Sequence, residues 1–132
     1  MWRVVILVCL FFTGPAAAQE ALDASGFDAL TLGKTYYYSS DGRPYGAEEY
    51  LEGRKVRWSF LDGQCMNGFW WEEAGLICFS YEDFPDDHHC WSFRRGPGGL
   101  AARFENDPAG RELYEMKQSD EPMLCLGPKV GA

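Results

Sequence analysis

Lys55-Val56-Arg57-Trp58-Ser59-Phe60-Leu61, closed by Asp62-Gly63, is the stretch that decides the fold. Polar and large apolar side chains alternate along it with a period of two, the repeat of an extended strand. Val56, Trp58 and Phe60 therefore share a core face, and Lys55, Arg57 and Ser59 point away from it. Asp62-Gly63 is a turn signal that ends the run. Period two recurs further along the chain: Ile77, Phe79 and Tyr81 share one face, and Trp91 and Phe93 share another.

From Thr35 onward the chain is a series of such runs, rich in Tyr, Trp, Phe and β-branched residues. They cover Thr35 to Ser39, Ala47 to Leu51, Lys55 to Leu61, Gly68 to Glu72, Leu76 to Glu82, Cys90 to Arg94, Leu100 to Phe104 and Glu112 to Lys117. Short Gly-, Asp- and Pro-rich breaks separate them, including Asp41-Gly42-Arg43-Pro44, Ala74-Gly75 and Phe84-Pro85-Asp86-Asp87. Links this short join antiparallel neighbours, because a parallel crossover needs a dozen residues or more. The expected fold is mostly β: an antiparallel up-and-down meander of about eight strands. It closes into a small barrel, or folds into a sandwich, to avoid two unpaired edges. A short helix precedes it, with Ser25 as cap, Asp28 three residues on and Gly33 as stop.

The first residues read as an export signal. Arg3 supplies a positive start, Val4 to Phe12 is continuously apolar, and Ala16-Ala17-Ala18 offers small residues for cleavage. The expected organisation is a signal peptide over residues 1–18 and one disulfide-bonded domain over 19–132, placed in the periplasm or secreted. With the signal removed, no stable membrane anchoring is expected, since no later stretch nears the roughly 20 apolar residues of a spanning helix. The net charge of −8 argues against a nucleic-acid partner, which needs clustered Lys and Arg.

Cys9 lies in the apolar segment, leaving Cys65, Cys78, Cys90 and Cys125. An even number in an exported chain reads as two disulfides, with three possible connectivities. Cys78 shares a face with Leu76 and Ser80, and Cys90 with Ser92 and Arg94, so neighbouring strands would bring these two together. That favours Cys78–Cys90 and Cys65–Cys125. A zinc site is disfavoured because no C-x-x-C pair occurs.

The polar segment Glu82-Asp83-Phe84-Pro85-Asp86-Asp87-His88-His89 holds both histidines. Adjacent histidines of an extended segment point to opposite faces, so Asp86 with His88 is the minimal metal-binding pair, and a solvated turn is the plainer reading. Glu48-Glu49 and Glu72-Glu73 also read as solvated edges. The motifs G-x-S-x-G, H-E-x-x-H and S-x-x-K are absent, so no catalytic residue and no cofactor is assigned. In Phe69-Trp70-Trp71 and Tyr36-Tyr37-Tyr38 the middle ring is separated from its neighbours by alternation. Trp70 and Tyr37 are therefore the candidates for an exposed stacking surface, unless the N-terminal helix or the C-terminal tail covers them.

The residues Cys65-x-x-Gly68-x-Trp70, Ile77-Cys78-Phe79-x-Tyr81, Cys90-Trp91 and Leu124-Cys125-x-Gly127-Pro128 resemble a group of small exported bacterial proteins to which no activity is assigned. The resemblance spans nearly all of residues 19–132 and implies export, disulfides and a compact β fold. Asp41-Gly42-Arg43-Pro44-Tyr45-Gly46 more weakly resembles the MORN hairpin repeat, but it occurs once and is read as a single hairpin. The expected function is a non-enzymatic module that binds a small ligand or a protein partner. The alternatives are a metal-binding protein using Asp86-Asp87-His88-His89 and an enzyme of unrecognised type. A ligand carrier requires an interior not filled by side chains, whereas an interaction module requires a packed interior with Trp70 or Tyr37 exposed.

Overall fold

A computed structural model describes residues 1, 9–12, 14 and 20–126. Most of the export signal, with its cleavage positions, and Gly127-Pro128 lie outside the described residues. Helix α1 (Ala24–Thr31) is followed by β1 (Thr35–Ser40), β2 (Arg43–Tyr50), β3 (Lys55–Ser59), β4 (Met66–Glu73), β5 (Leu76–Tyr81), β6 (Phe84–Gly96), β7 (Gly99–Phe104) and β8 (Glu112–Ser119). Each strand pairs antiparallel with the next, and β8 pairs antiparallel with β1, so the meander closes as an eight-stranded barrel, not a sandwich. Closure removes both sheet edges. Two hairpins use two-residue connections with positive φ at both positions: Asp41 (51°) with Gly42 (74°), and Ala74 (51°) with Gly75 (78°). This turn geometry matches the twist of the flanking strands.

Alternation sends one face of every strand inward. Tyr36, Tyr38, Glu48, Tyr50, Val56, Trp58, Trp70, Ile77, Phe79, Phe93, Leu100, Ala102 and Leu113 are all buried. Helix α1 caps the end of the barrel away from the Asp41-Gly42 turn. Its N-cap is Asp23, whose Oδ1 accepts from the Gly26 N–H at 2.7 Å, so the helix starts earlier than the Ser25 capping pattern suggested. Phe27 is fully buried there, with ring centroids 4.6 Å from Phe93, 5.1 Å from Trp70 and 5.4 Å from Tyr50. The Tyr36 hydroxyl donates to the Leu30 carbonyl at 2.9 Å and ties the helix to β1.

Trp70 faces inward, contrary to its expected exposure. It is 2% exposed, while Phe69 is 53% exposed. Cross-strand register decides this: Trp70 lies opposite Phe79, whereas Phe69 and Trp71 lie opposite Ser80 and Cys78 on the outside. Two large rings on one face of a strand do not make that the inner face when the neighbouring strand's apolar face is on the other side. Gly68, two pairs away on the same face, is part of the same arrangement. A Cβ there would lie 2.4 Å from the Ser80 carbonyl oxygen and 2.7 Å from the Tyr81 ring.

Cys78 and Cys90 face each other directly across β5 and β6, with Cα atoms 4.0 Å apart and a disulfide between them. A second disulfide joins Cys65 to Cys125 and holds the C-terminal tail against the outside of the barrel. Glu49 fixes the same tail: its Oε2 accepts from the Arg57 guanidinium at 2.6 Å and from the Met123 N–H at 3.0 Å. Glu48 and Glu49 are thus both buried instead of forming a solvated edge, Glu48 inside the wall and Glu49 beneath the tail. Two disulfides fit an oxidising, extracytoplasmic compartment.

A candidate ligand cavity in the barrel

Between the α1 cap and the opposite, open end the side chains leave a cavity of about 160 Å³. Its walls come from alternate positions of most strands: Tyr38 on β1, Glu48 and Tyr50 on β2, Trp58 on β3, Phe79 and Tyr81 on β5, Trp91 and Phe93 on β6. Small residues make the room, with Ala102 on β7 lining the space. Gly46 lets the Trp58 ring lie across β2, since a Cβ at Gly46 would stand 2.2 Å from that ring. Tyr45, Phe60 and Phe84 form the rim, and Phe60 and Phe84 are about half exposed. Phe60 lies past the end of β3, so it reaches the mouth instead of the core its alternation predicted. It packs edge-on against Trp58 at 5.4 Å and Tyr45 at 5.8 Å.

Glu48 is the one acidic group in these walls. Its Oε1 accepts from the Tyr81 hydroxyl at 2.7 Å, while its buried Oε2 has no hydrogen-bond partner. Among the described residues, no Lys or Arg lines the cavity. Burial pushes the Glu48 carboxyl well above the usual carboxylate range, and the Tyr81 hydrogen bond only partly offsets that. The Tyr38 and Tyr50 hydroxyls are 2.8 Å apart and hydrogen-bonded to each other. Burial likewise raises the Tyr38, Tyr50 and Tyr81 hydroxyls well above 10.0. A buried polar group left unpaired costs free energy, which sets Glu48 apart from the apolar walls around it.

Of the residues singled out in the sequence, Trp70 belongs to the closed end, packed edge-to-face against Phe27 and covered by the Arg54 guanidinium at 4.6 Å. Tyr37 is on the outer wall, half-buried, with Lys117 Nζ 4.4 Å from its ring centroid. Asp86 and His88 are exposed. The segment that holds them is the first part of β6 and not a loop, because Phe84 already pairs with Tyr81. His88 packs outward against Trp71 at 5.0 Å, whereas His89 turns inward and lines the cavity. Among the described residues the metal-type cluster is Glu73 with Cys78 and Cys90, whose sulfurs are joined to each other.

Glu48 and Tyr81 escaped the sequence reading as a pair. The signal was present: Gly46, Glu48 and Tyr50 alternate on one face, which places an acid in line with core residues. No family model, curated protein or solved structure matches the chain, so the cavity and its buried acid are the features on which a functional assignment stands.

Proposed function

We propose that the protein is an exported carrier or sensor that binds a small ligand inside its barrel. One observation carries this: an aromatic-walled cavity of about 160 Å³, open at one end, that side chains leave unfilled. An apolar cavity of roughly 150 Å³ accepts benzene, so the part of the ligand that enters is on the order of a single ring in size. The burial of Trp70 also supports a ligand carrier over an interaction surface at that residue. Export rests on the charged and apolar pattern of residues 1–18, and the two disulfides fit a periplasmic or secreted location.

Native mass spectrometry of the protein isolated from its own export compartment tests this. The expected spectrum shows a non-covalent adduct that is lost on denaturation and absent from an Ala102→Phe variant, whose ring fills the cavity. Bare protein in both samples, or an adduct retained by the filled variant, would contradict binding inside the barrel.

A further inference from the structure

We infer that the ligand is a small organic cation, an ammonium or protonated amine, held between the aromatic walls and Glu48. This builds on the cavity being the ligand site. Three features converge on it. The walls are lined by the rings of Tyr38, Trp58, Phe79, Tyr81, Trp91 and Phe93, and the face of such a ring attracts a cation placed over it. Among the described residues, Glu48 has a buried oxygen without a partner, and no Lys or Arg lines the cavity to serve as its counter-charge. The connections at the open end carry Asp41, Asp62, Glu82, Asp83, Glu105 and Asp107 against Arg111, with Arg43 and Arg103 on the flanking strand ends. In a chain of net charge −8, that mouth draws cations inward and repels anions.

Binding exchanges one cation for another. In the empty barrel burial favours the protonated Glu48 carboxyl. An entering ammonium supplies the missing counter-charge, the Glu48 O–H bond breaks, and the proton leaves to solvent. No other covalent bond changes. The ionisable groups that line the cavity with Glu48 are Tyr38, Tyr45, Tyr50, Tyr81 and His89. Arg111 lies at the rim, 5.0 Å over the Tyr45 ring and donating to Ser40 Oγ at 3.1 Å, so its charge stays outside the cavity.

Titration calorimetry with choline, and with its uncharged carbon isostere bearing a tert-butyl group, tests the inference. Choline is expected to bind and the isostere to bind far more weakly. Repeating the titration in buffers of different ionisation enthalpy should show up to about one proton released per choline, with affinity rising up to tenfold per pH unit below the Glu48 titration. Glu48→Gln keeps an acceptor for Tyr81 and should weaken choline roughly 30-fold or more while abolishing proton release. Equal binding of choline and isostere, or choline binding undiminished in Glu48→Gln, would overturn the cationic assignment and leave the ligand-binding barrel standing. Binding of neither probe, with the adduct also absent from the isolated protein, would remove the barrel-interior site itself.

Discussion

Glu48 is the residue on which most of the account turns, and its burial makes a testable statement about stability. Its folded-state pKa is raised above the ordinary value of 4.5. The native state therefore holds the proton more tightly than the unfolded chain, and stability falls as pH rises from the carboxylate range towards the folded value. The slope is at most about 1.4 kcal/mol per pH unit. Glu48→Gln removes it, so denaturant melts from about pH 5 to about pH 9 should show the variant gaining on the native protein as pH rises. Parallel curves would show that Glu48 is ionised in the empty barrel. A second prediction at this scale concerns neighbouring rings. Trp70→Ala is expected to cost about 3–5 kcal/mol because it empties the space beneath Phe27. Phe69→Ala, on the outer face, should cost less than about 1 kcal/mol. Equal losses in urea melts would mean that β4 has its faces reversed.

Among the elements, helix α1 and the C-terminal tail do different jobs. The helix plugs one end with Phe27, packed against Phe93 and Trp70. The tail is bound to the outer wall by Cys65–Cys125 and by Glu49 with Arg57. In the chain-entropy model, disulfides closing loops of 60 and 12 residues contribute about 4 and about 3 kcal/mol respectively. Cys65→Ser with Cys125→Ser should therefore lower the thermal midpoint more than Cys78→Ser with Cys90→Ser. The reverse order would place the main constraint at the β5–β6 pair. The meander was legible because Val56 and Trp58, and Ile77 and Phe79, alternate cleanly between Gly- and Asp-rich turns. Trp70 was misplaced because three consecutive rings carry no information about face until the opposite strand, with Phe79 inward, is known. The sequence predicts a turn over the first part of β6 because Pro85, Asp86 and Asp87 are poor strand formers. Tertiary pairing of Phe84 with Tyr81 outweighs that local preference.

At the scale of the molecule, closure of the barrel produces the site. Eight strands bring an interior just wide enough for side chains to fill, or for one small ligand where small residues leave room. Gly46 and Ala102 sit where larger side chains would close the space, and the connections at the open end set an acidic approach to it. None of this is visible in any one strand. The position of Glu48 inside the wall depends on the pairing of β2 with both β1 and β3.

Side chains leave the barrel interior unfilled and open to a small ligand. NMR of the isotopically labelled protein under xenon pressure tests it without knowledge of the ligand, because xenon enters apolar cavities of this size. Saturable shifts confined to groups around Trp58, Phe79, Phe93 and Ala102 are expected, and their loss in Ala102→Phe. Shifts scattered over the surface, or none at all, would show a filled core and contradict it.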